Sequence, residues 1–228
     1  MINVSGMKEK RESGFTITEL VIATAVFAGV LLLIIVGFVQ IGRLFYKGVA
    51  VSQTRQTATN IVNAISADIR LAGNVNPNLN YLCNPNCNFA NPLTAYCIGN
   101  HLYVANVYSQ PVNLDPSSHD FSSNFGLIQS QSGGVCSGGT GANGAYQSSD
   151  LVKPLEMLGD DMRLTQFKIE PGAQADTYDI KVTVAYGEDN VFQNFGDDVP
   201  SCRGIATGSQ FCAVVPISQS VSNRPSFH

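Results

Sequence analysis

The chain has 228 residues, 44% of them hydrophobic and only 13% charged, with a formal net charge of −4. That length suffices for one sizeable domain with an appendage. The slight acidity excludes a broad basic surface of the kind that grips nucleic acid, and no residue pattern says whether nucleic acid is a partner.

Residues 1–14 are short, polar and charged, with Lys8, Lys10 and Arg11, and read as a leader peptide rather than a domain. From Leu20 to Val39 the single polar side chain is Thr24, and fourteen of the twenty residues are Leu, Ile, Val or Phe. Twenty residues of helix reach ~30 Å, the hydrocarbon thickness of a bilayer. On an insertion scale those fourteen contribute about −6 kcal/mol, against about +3 kcal/mol for a carboxylate such as Glu19 at mid-membrane and less near the interface. Insertion wins, and residues 15–42 are expected to form one membrane-spanning helix. A conventional secretory signal has an apolar core of about 7–15 residues before a small-residue cleavage site. This core is longer, and the late candidate Gly48-Val49-Ala50 follows Arg43, Phe45, Tyr46 and Lys47. Flanking charge does not orient the span, because Lys8, Lys10 and Arg11 before it are matched by Arg43, Lys47 and Arg55 after it.

No proline occurs before Pro77, so the helix can run on. Ala58, Ile61, Val62, Ile65, Ile69 and Ala72 recur at helical spacing, with Asn60, Asn63, Ser66 and Arg70 elsewhere around the barrel. Residues 43–72 are therefore expected to be an amphipathic continuation, stopped by Gly73-Asn74. A helix over 15–72 would be ~87 Å long.

Residues 73–228 are rich in Asn, Pro, Gly and Ser between short apolar runs, and are expected to form a β-rich globular domain. Ala95–Ile98 and Leu102–Tyr108 flank Gly99-Asn100, a hairpin signal. Residues 109–150 read as loop. Strands are expected over Met162–Ile169 and Phe211–Val221. In Tyr178–Tyr186, Ile180, Val182 and Val184 alternate with Asp179, Lys181, Thr183 and Ala185, the pattern of a strand with one buried face. The fold class expected is α+β, one long N-terminal helix packed on an antiparallel sheet with long disulfide-bonded loops.

Six cysteines, Cys83, Cys87, Cys97, Cys136, Cys202 and Cys212, all follow the span. An even number on one side points to disulfides in an oxidising space outside the cytoplasm. Cys202 and Cys212, with Gly204 and Gly208 between them, are expected to pair, while the other four allow three connectivities. Zinc fits poorly: Cys83 and Cys87 are spaced C-x3-C, and His101, the nearest histidine, suits a strand surface.

Other motifs carry little chemistry. Gly139-x-Gly141-x-x-Gly144 has the dinucleotide spacing but neither the preceding strand nor the following helix. His119-Asp120 with Ser117 and Ser118 are neighbours in one loop, whereas triad members converge from separate elements. Asp160-Asp161, Glu188-Asp189 and Asp197-Asp198 lack calcium-loop spacing. No catalytic residue, metal ligand, cofactor or small-molecule substrate is expected.

The stretch GFTITEL at residues 14–20 resembles the N-terminus of type IV prepilins and type II secretion pseudopilins. That family has a charged leader, a glycine, a phenylalanine that becomes the mature N-terminus, and a glutamate as fifth mature residue of an apolar helix. Gly14, Phe15 and Glu19 match; Thr18 stands where aliphatic residues are usual, and the family's proline further along the span is missing. The resemblance covers about 30 residues by motif. It implies cleavage between Gly14 and Phe15 by a prepilin peptidase, N-methylation of Phe15, and assembly through Glu19. It implies a pilin-like fold and a structural role as a filament subunit, with the length and cysteines leaning to a minor one. The alternatives are a type II secretion pseudopilin, or a membrane-anchored adhesin or enzyme. Implied partners are the peptidase, other pilin subunits, the inner-membrane assembly platform and, before assembly, membrane lipid. The implied location is a single-pass membrane protein whose C-terminal domain lies outside the cytoplasm, and then a filament.

Overall fold

The computed structural model describes residues 14–72, 75–79, 94–107, 126–131, 136, 152–194, 196–204 and 209–223. Residues 1–13, Gly73-Asn74, Cys83, Cys87, His119-Asp120, the glycines at 139, 141 and 144, and Gly208 lie outside that set. The chain divides into two compact units, Met1–Leu44 and Phe45–His228.

In the first unit, helix α1 (Ile17–Ala72, which continues into the second unit) carries a stretch long and apolar enough to cross a membrane. Its large apolar side chains from Leu20 to Leu44 are exposed. Thr24, the one polar side chain from Leu20 to Val39, donates to the Val21 carbonyl at 3.0 Å, so it brings no unpaired hydroxyl to that surface.

In the second unit the remainder of α1 buries one face. Ala58, Ile61, Val62, Ile65 and Ile69 of the stripe are buried and Ala72 is half-buried. Ser66, placed off that stripe by its spacing, is buried too. Thr54, also buried, donates to the Ala50 carbonyl at 2.7 Å.

Among the described residues three antiparallel sheets follow, where the sequence suggested one. The largest has the order β1-β2-β3-β4-β5 (Val75–Leu79, Thr94–Ile98, His101–Ala105, Leu127–Gln131, Val152–Glu156). The second has the order β10-β7-β6 (Ala213–Ser222, Thr177–Tyr186, Met162–Pro171). The short strands β8 (Phe192–Gln193) and β9 (Ser201–Cys202) form the third. Both larger sheets contribute to one core with the α1 stripe: Ile98, Tyr103 and Leu127 from the five-stranded sheet, Leu164, Phe167, Ile180, Val182 and Val184 from the three-stranded one. Tyr96 links them, its ring edge-on to Phe167 at 5.3 Å and its hydroxyl accepting from the Ile169 N–H at 3.3 Å.

The hairpin signal falls where β2 turns into β3. Gly99 has φ +58°, and a Cβ there would lie 2.6 Å from the Ala72 Cβ, so both the turn and the helix end demand glycine. Strand β3 stops at Ala105, short of Tyr108. Strand β4 lies within the stretch that reads as loop, and Pro77 sits inside β1, an edge strand where a missing N–H is tolerated.

In β6 the pairing with β7 shifts between Leu164 and Gln166, leaving Thr165 as an extra residue. The bulge changes the phase of the side chains: Met162 and Leu164 face the core before it, Phe167 and Ile169 after it. Thr165 donates to the Asp198 carbonyl at 3.0 Å. Toward Tyr186 the polar side of β7 is also covered: Thr183 and Ala185 are buried, and Ala185 joins a second, smaller core with Val191, Phe192 and Cys212.

Candidate functional site

The residues of the GFTITEL motif can now be placed. Gly14, Phe15 and Thr16 precede the helix and are not helical, so the Gly14–Phe15 peptide bond lies in open chain. Phe15 is 75% exposed, and nothing approaches within 4 Å of where a Gly14 side chain would project.

Thr16 is the N-cap and Glu19 the third residue of the first turn. The Glu19 N–H donates to Thr16 Oγ1 at 3.3 Å, while Glu19 Oε2 accepts from the Thr16 N–H at 3.0 Å and from its hydroxyl at 2.9 Å. This is a reciprocal capping box, which satisfies amide groups that a helix start leaves without intrahelical partners. The sequence signal for it is Thr16-x-x-Glu19 just before an apolar run, the spacing of a capping box. Glu19 thus has a local task in the single chain. It also favours the helix start through the macrodipole.

Of the cysteines, Cys202 and Cys212 are disulfide-bonded, with Cα atoms 5.8 Å apart. Cys97 and Cys136 form a second disulfide, with Cα atoms 5.4 Å apart, which joins β2 to the segment after β4. Cys83 and Cys87 lie outside the described residues.

A polar cluster that spacing alone did not reveal ties α1 to the five-stranded sheet. Asp68 Oδ2 accepts from the Tyr103 hydroxyl at 2.6 Å and lies 2.7 Å from His101 Nδ1, while Gln129 donates to the Tyr103 oxygen at 3.0 Å. Burial, and then the bond to Asp68, pushes the Tyr103 phenol well above its ordinary value, so it stays a neutral donor. Glu156 accepts from the N–H groups of Gly126, Leu127 and Leu158 at 2.9, 2.9 and 3.0 Å. Burial raises its carboxyl pKa against the pull of those donors. Each cluster closes on itself and holds structure.

The acidic pairs are scattered. Asp189 takes an ion pair from Arg163, whose other nitrogen donates to the Gly187 carbonyl at 2.8 Å. Asp198 accepts from Lys168 at 2.7 Å and Gln166 at 2.9 Å. Among the described residues no group of three or more His, Cys, Asp or Glu side chains could hold a metal ion. A cavity of about 280 Å³ is lined by Asp161, Tyr186, Gly187, Glu188, Asn190, Val191 and Phe211. None of these side chains is a serine or cysteine nucleophile with a base beside it.

Comparison of the chain with family models, with curated proteins and with solved structures returns no match.

Proposed function

We propose that the chain is a prepilin-type filament subunit, a structural protein processed at Gly14–Phe15 and assembled through its N-terminal helix. The observation that carries this reading is the start of α1. A Gly-Phe bond lies in non-helical chain immediately before an apolar helix whose first turn holds Glu19. A peptidase needs its scissile bond extended and accessible, and a glycine before it removes side-chain obstruction.

Before assembly the apolar half of α1 spans a membrane once, and residues 45–228 lie on the oxidising side, where Cys97–Cys136 and Cys202–Cys212 are stable. Cleavage removes Lys8, Lys10 and Arg11 and creates a cationic amine on Phe15. In a filament the apolar halves pack together and exclude water, so an unpaired Glu19 carboxylate would be costly there. The amine of Phe15 on a neighbouring subunit supplies the opposite charge, and methylation leaves it cationic. Glu19 therefore changes partners: Thr16 caps it in the monomer, and the neighbour's N-terminus pairs with it in the filament. The peptidase, sister subunits and the membrane assembly platform are the partners this requires, and no catalytic site or cofactor is involved.

Intact mass of the protein from cells with and without the peptidase tests the reading. The expected product begins at Phe15, 14 residues shorter than the precursor. Full-length protein in both strains, or a cut near Ala50, would overturn it.

A further inference from the structure

We propose that the second unit rests on the membrane surface through an aromatic patch formed by Phe45, Tyr46 and Phe211, with the zwitterionic headgroup layer of the bilayer as its occupant. This rests on the reading of the apolar half of α1 as a membrane span.

The three rings are contiguous and open to solvent. Phe45 and Tyr46 meet with centroids 6.2 Å apart, and Tyr46 and Phe211 with centroids 5.5 Å apart. Phe45 is 68% exposed, Tyr46 55% and Phe211 43%. Aromatic side chains left in a cluster on a surface mark a contact with something else.

The chain itself says what that is. Phe45 lies six positions beyond Val39, the end of the apolar run. As helix that is ~9 Å of rise, and in no conformation can it exceed ~22 Å. The headgroup layer is ~5–8 Å deep on each side of the hydrocarbon. Side chains on a helix slope back toward its N-terminus, here toward the span, so the rings of Phe45 and Tyr46 reach into that layer. Aromatic rings concentrate at this depth because it accepts both an apolar body and, for Tyr46, a hydroxyl.

Phe211 is the independent observation. It comes from a part of the chain remote in sequence, a single 3-10 turn (Ser209–Phe211) before β10, yet it is brought against Tyr46. Its position is fixed from behind. Cys212 is buried, is bonded to Cys202, and packs with Val191 and Phe192. Gly187, at φ +126°, leaves room for the Phe211 carbonyl, which would stand 3.2 Å from a Cβ there. A tethered turn that presents a ring outward, beside two juxtamembrane rings, is built to be seated. Lys47 adds one positive charge next to the patch, but Glu188 and Asp161 line the adjoining cavity, so the attraction is interfacial rather than for an anionic surface.

The chain contains no tryptophan, so one introduced indole reports alone. The full-length protein is reconstituted in phosphatidylcholine vesicles brominated either near the headgroup or near the bilayer centre. Phe211→Trp is expected to lose about half its emission to the shallow bromines and little to the deep ones. Leu71→Trp, at an 86% exposed position at the end of α1, should lose none to either, and Val30→Trp should be quenched by the deep bromines. If Val30→Trp is quenched while Phe211→Trp is not, the span stands and the seating is overturned. If neither is quenched, both readings fall. Protection of the Phe211→Trp indole from aqueous iodide without bromine quenching would mean a protein covers the patch, which also overturns it. Should that substitution disturb the turn, Tyr46→Trp reads the same rings, and absence of shallow quenching there is equally fatal.

Discussion

The two halves of α1 share one secondary structure and differ in everything else. From Leu20 to Val39 the helix is apolar around its whole circumference and its large side chains are exposed. From Ala50 onward it is apolar along one stripe, and that stripe is the centre of the core. Helix formation alone therefore says little about purpose. The second half finds its apolar counterpart within its own chain, in two sheets. The first half has none among the described residues of its own unit, and a helix greasy all round must be covered by lipid or by other helices.

Substitutions should sort along this line. Ile65→Ala removes a fully buried side chain at the helix–sheet contact, and should cost about 2–5 kcal/mol of unfolding free energy. Leu32→Ala, the same kind of truncation in the first half, should leave the unfolding of the second unit unchanged. Urea unfolding of both variants in mild detergent, followed by near-ultraviolet circular dichroism, makes the comparison. Equal destabilisation by the two would erase the distinction between the halves.

A smaller effect is expected from the periphery of the second unit. Replacing Cys202 and Cys212 together by serine should lower stability by about 2–3 kcal/mol, since the disulfide closes a short loop in the unfolded chain. The helix–sheet core should remain folded, because the residues around this disulfide form the separate cluster of Ala185, Val191 and Phe192. A denaturant midpoint equal to the wild type's would mean the disulfide constrains nothing.

The contrast was legible in the sequence to the extent that periodicity expressed it. The stripe Ala58–Ala72 is long enough for a 3.6-residue period to stand out, and Ile180, Val182 and Val184 show a clean period of two. Strands β1, β4 and β5 were hidden because each is five residues long and built on weak signals. Strand β1 contains Pro77, three of the five residues of β4 are glutamine or serine, and β5 combines Pro154 with a left-handed Lys153 at φ +52°. The bulge at Thr165 broke the alternation in β6. The division into three sheets follows from long-range pairing that no local pattern carries. At the candidate site, Gly14, Phe15 and Glu19 stood out by motif. The capping role of Thr16 was equally readable, and the Asp68–His101–Tyr103 cluster was not, since Asp68 lies 33 and 35 residues before its two partners.

The smallest effect concerns charge on the exposed side of the three-stranded sheet. The hydrogen bond from Lys168 holds the Asp198 carboxyl below its ordinary value, and the same bond raises the lysine. A lowered carboxylate adds stability above its unfolded pKa of about 3.9 and loses it as pH falls through the lower folded value. A raised lysine keeps its share up to its ordinary value and loses it as pH rises through the folded one. The pair is exposed and screened by salt, so the gain is slight. Lys168→Met should lower the denaturant midpoint slightly between about pH 5 and 9, with the difference vanishing in strong acid as Asp198 protonates. A difference that grew toward acid would reverse the sign of the pairing.

The proposed assembly through the first half of α1 is tested most directly at Glu19, because the observed cap and the proposed charge pair meet there and one substitution parts them. Glutamine can take the third position of a capping box as glutamate does, but carries no charge. If Glu19 serves only to cap, Glu19→Gln behaves as wild type and Glu19→Val is defective. If its charge pairs with the Phe15 amine of a neighbour, both variants are stable, inserted and cut after Gly14, yet both are poorly incorporated. The measurement is the amount of tagged subunit in filaments sheared from cells, scored together with whether filaments start at all. Charge pairing predicts that Glu19→Gln is as deficient as Glu19→Val, and wild-type incorporation of Glu19→Gln would contradict it.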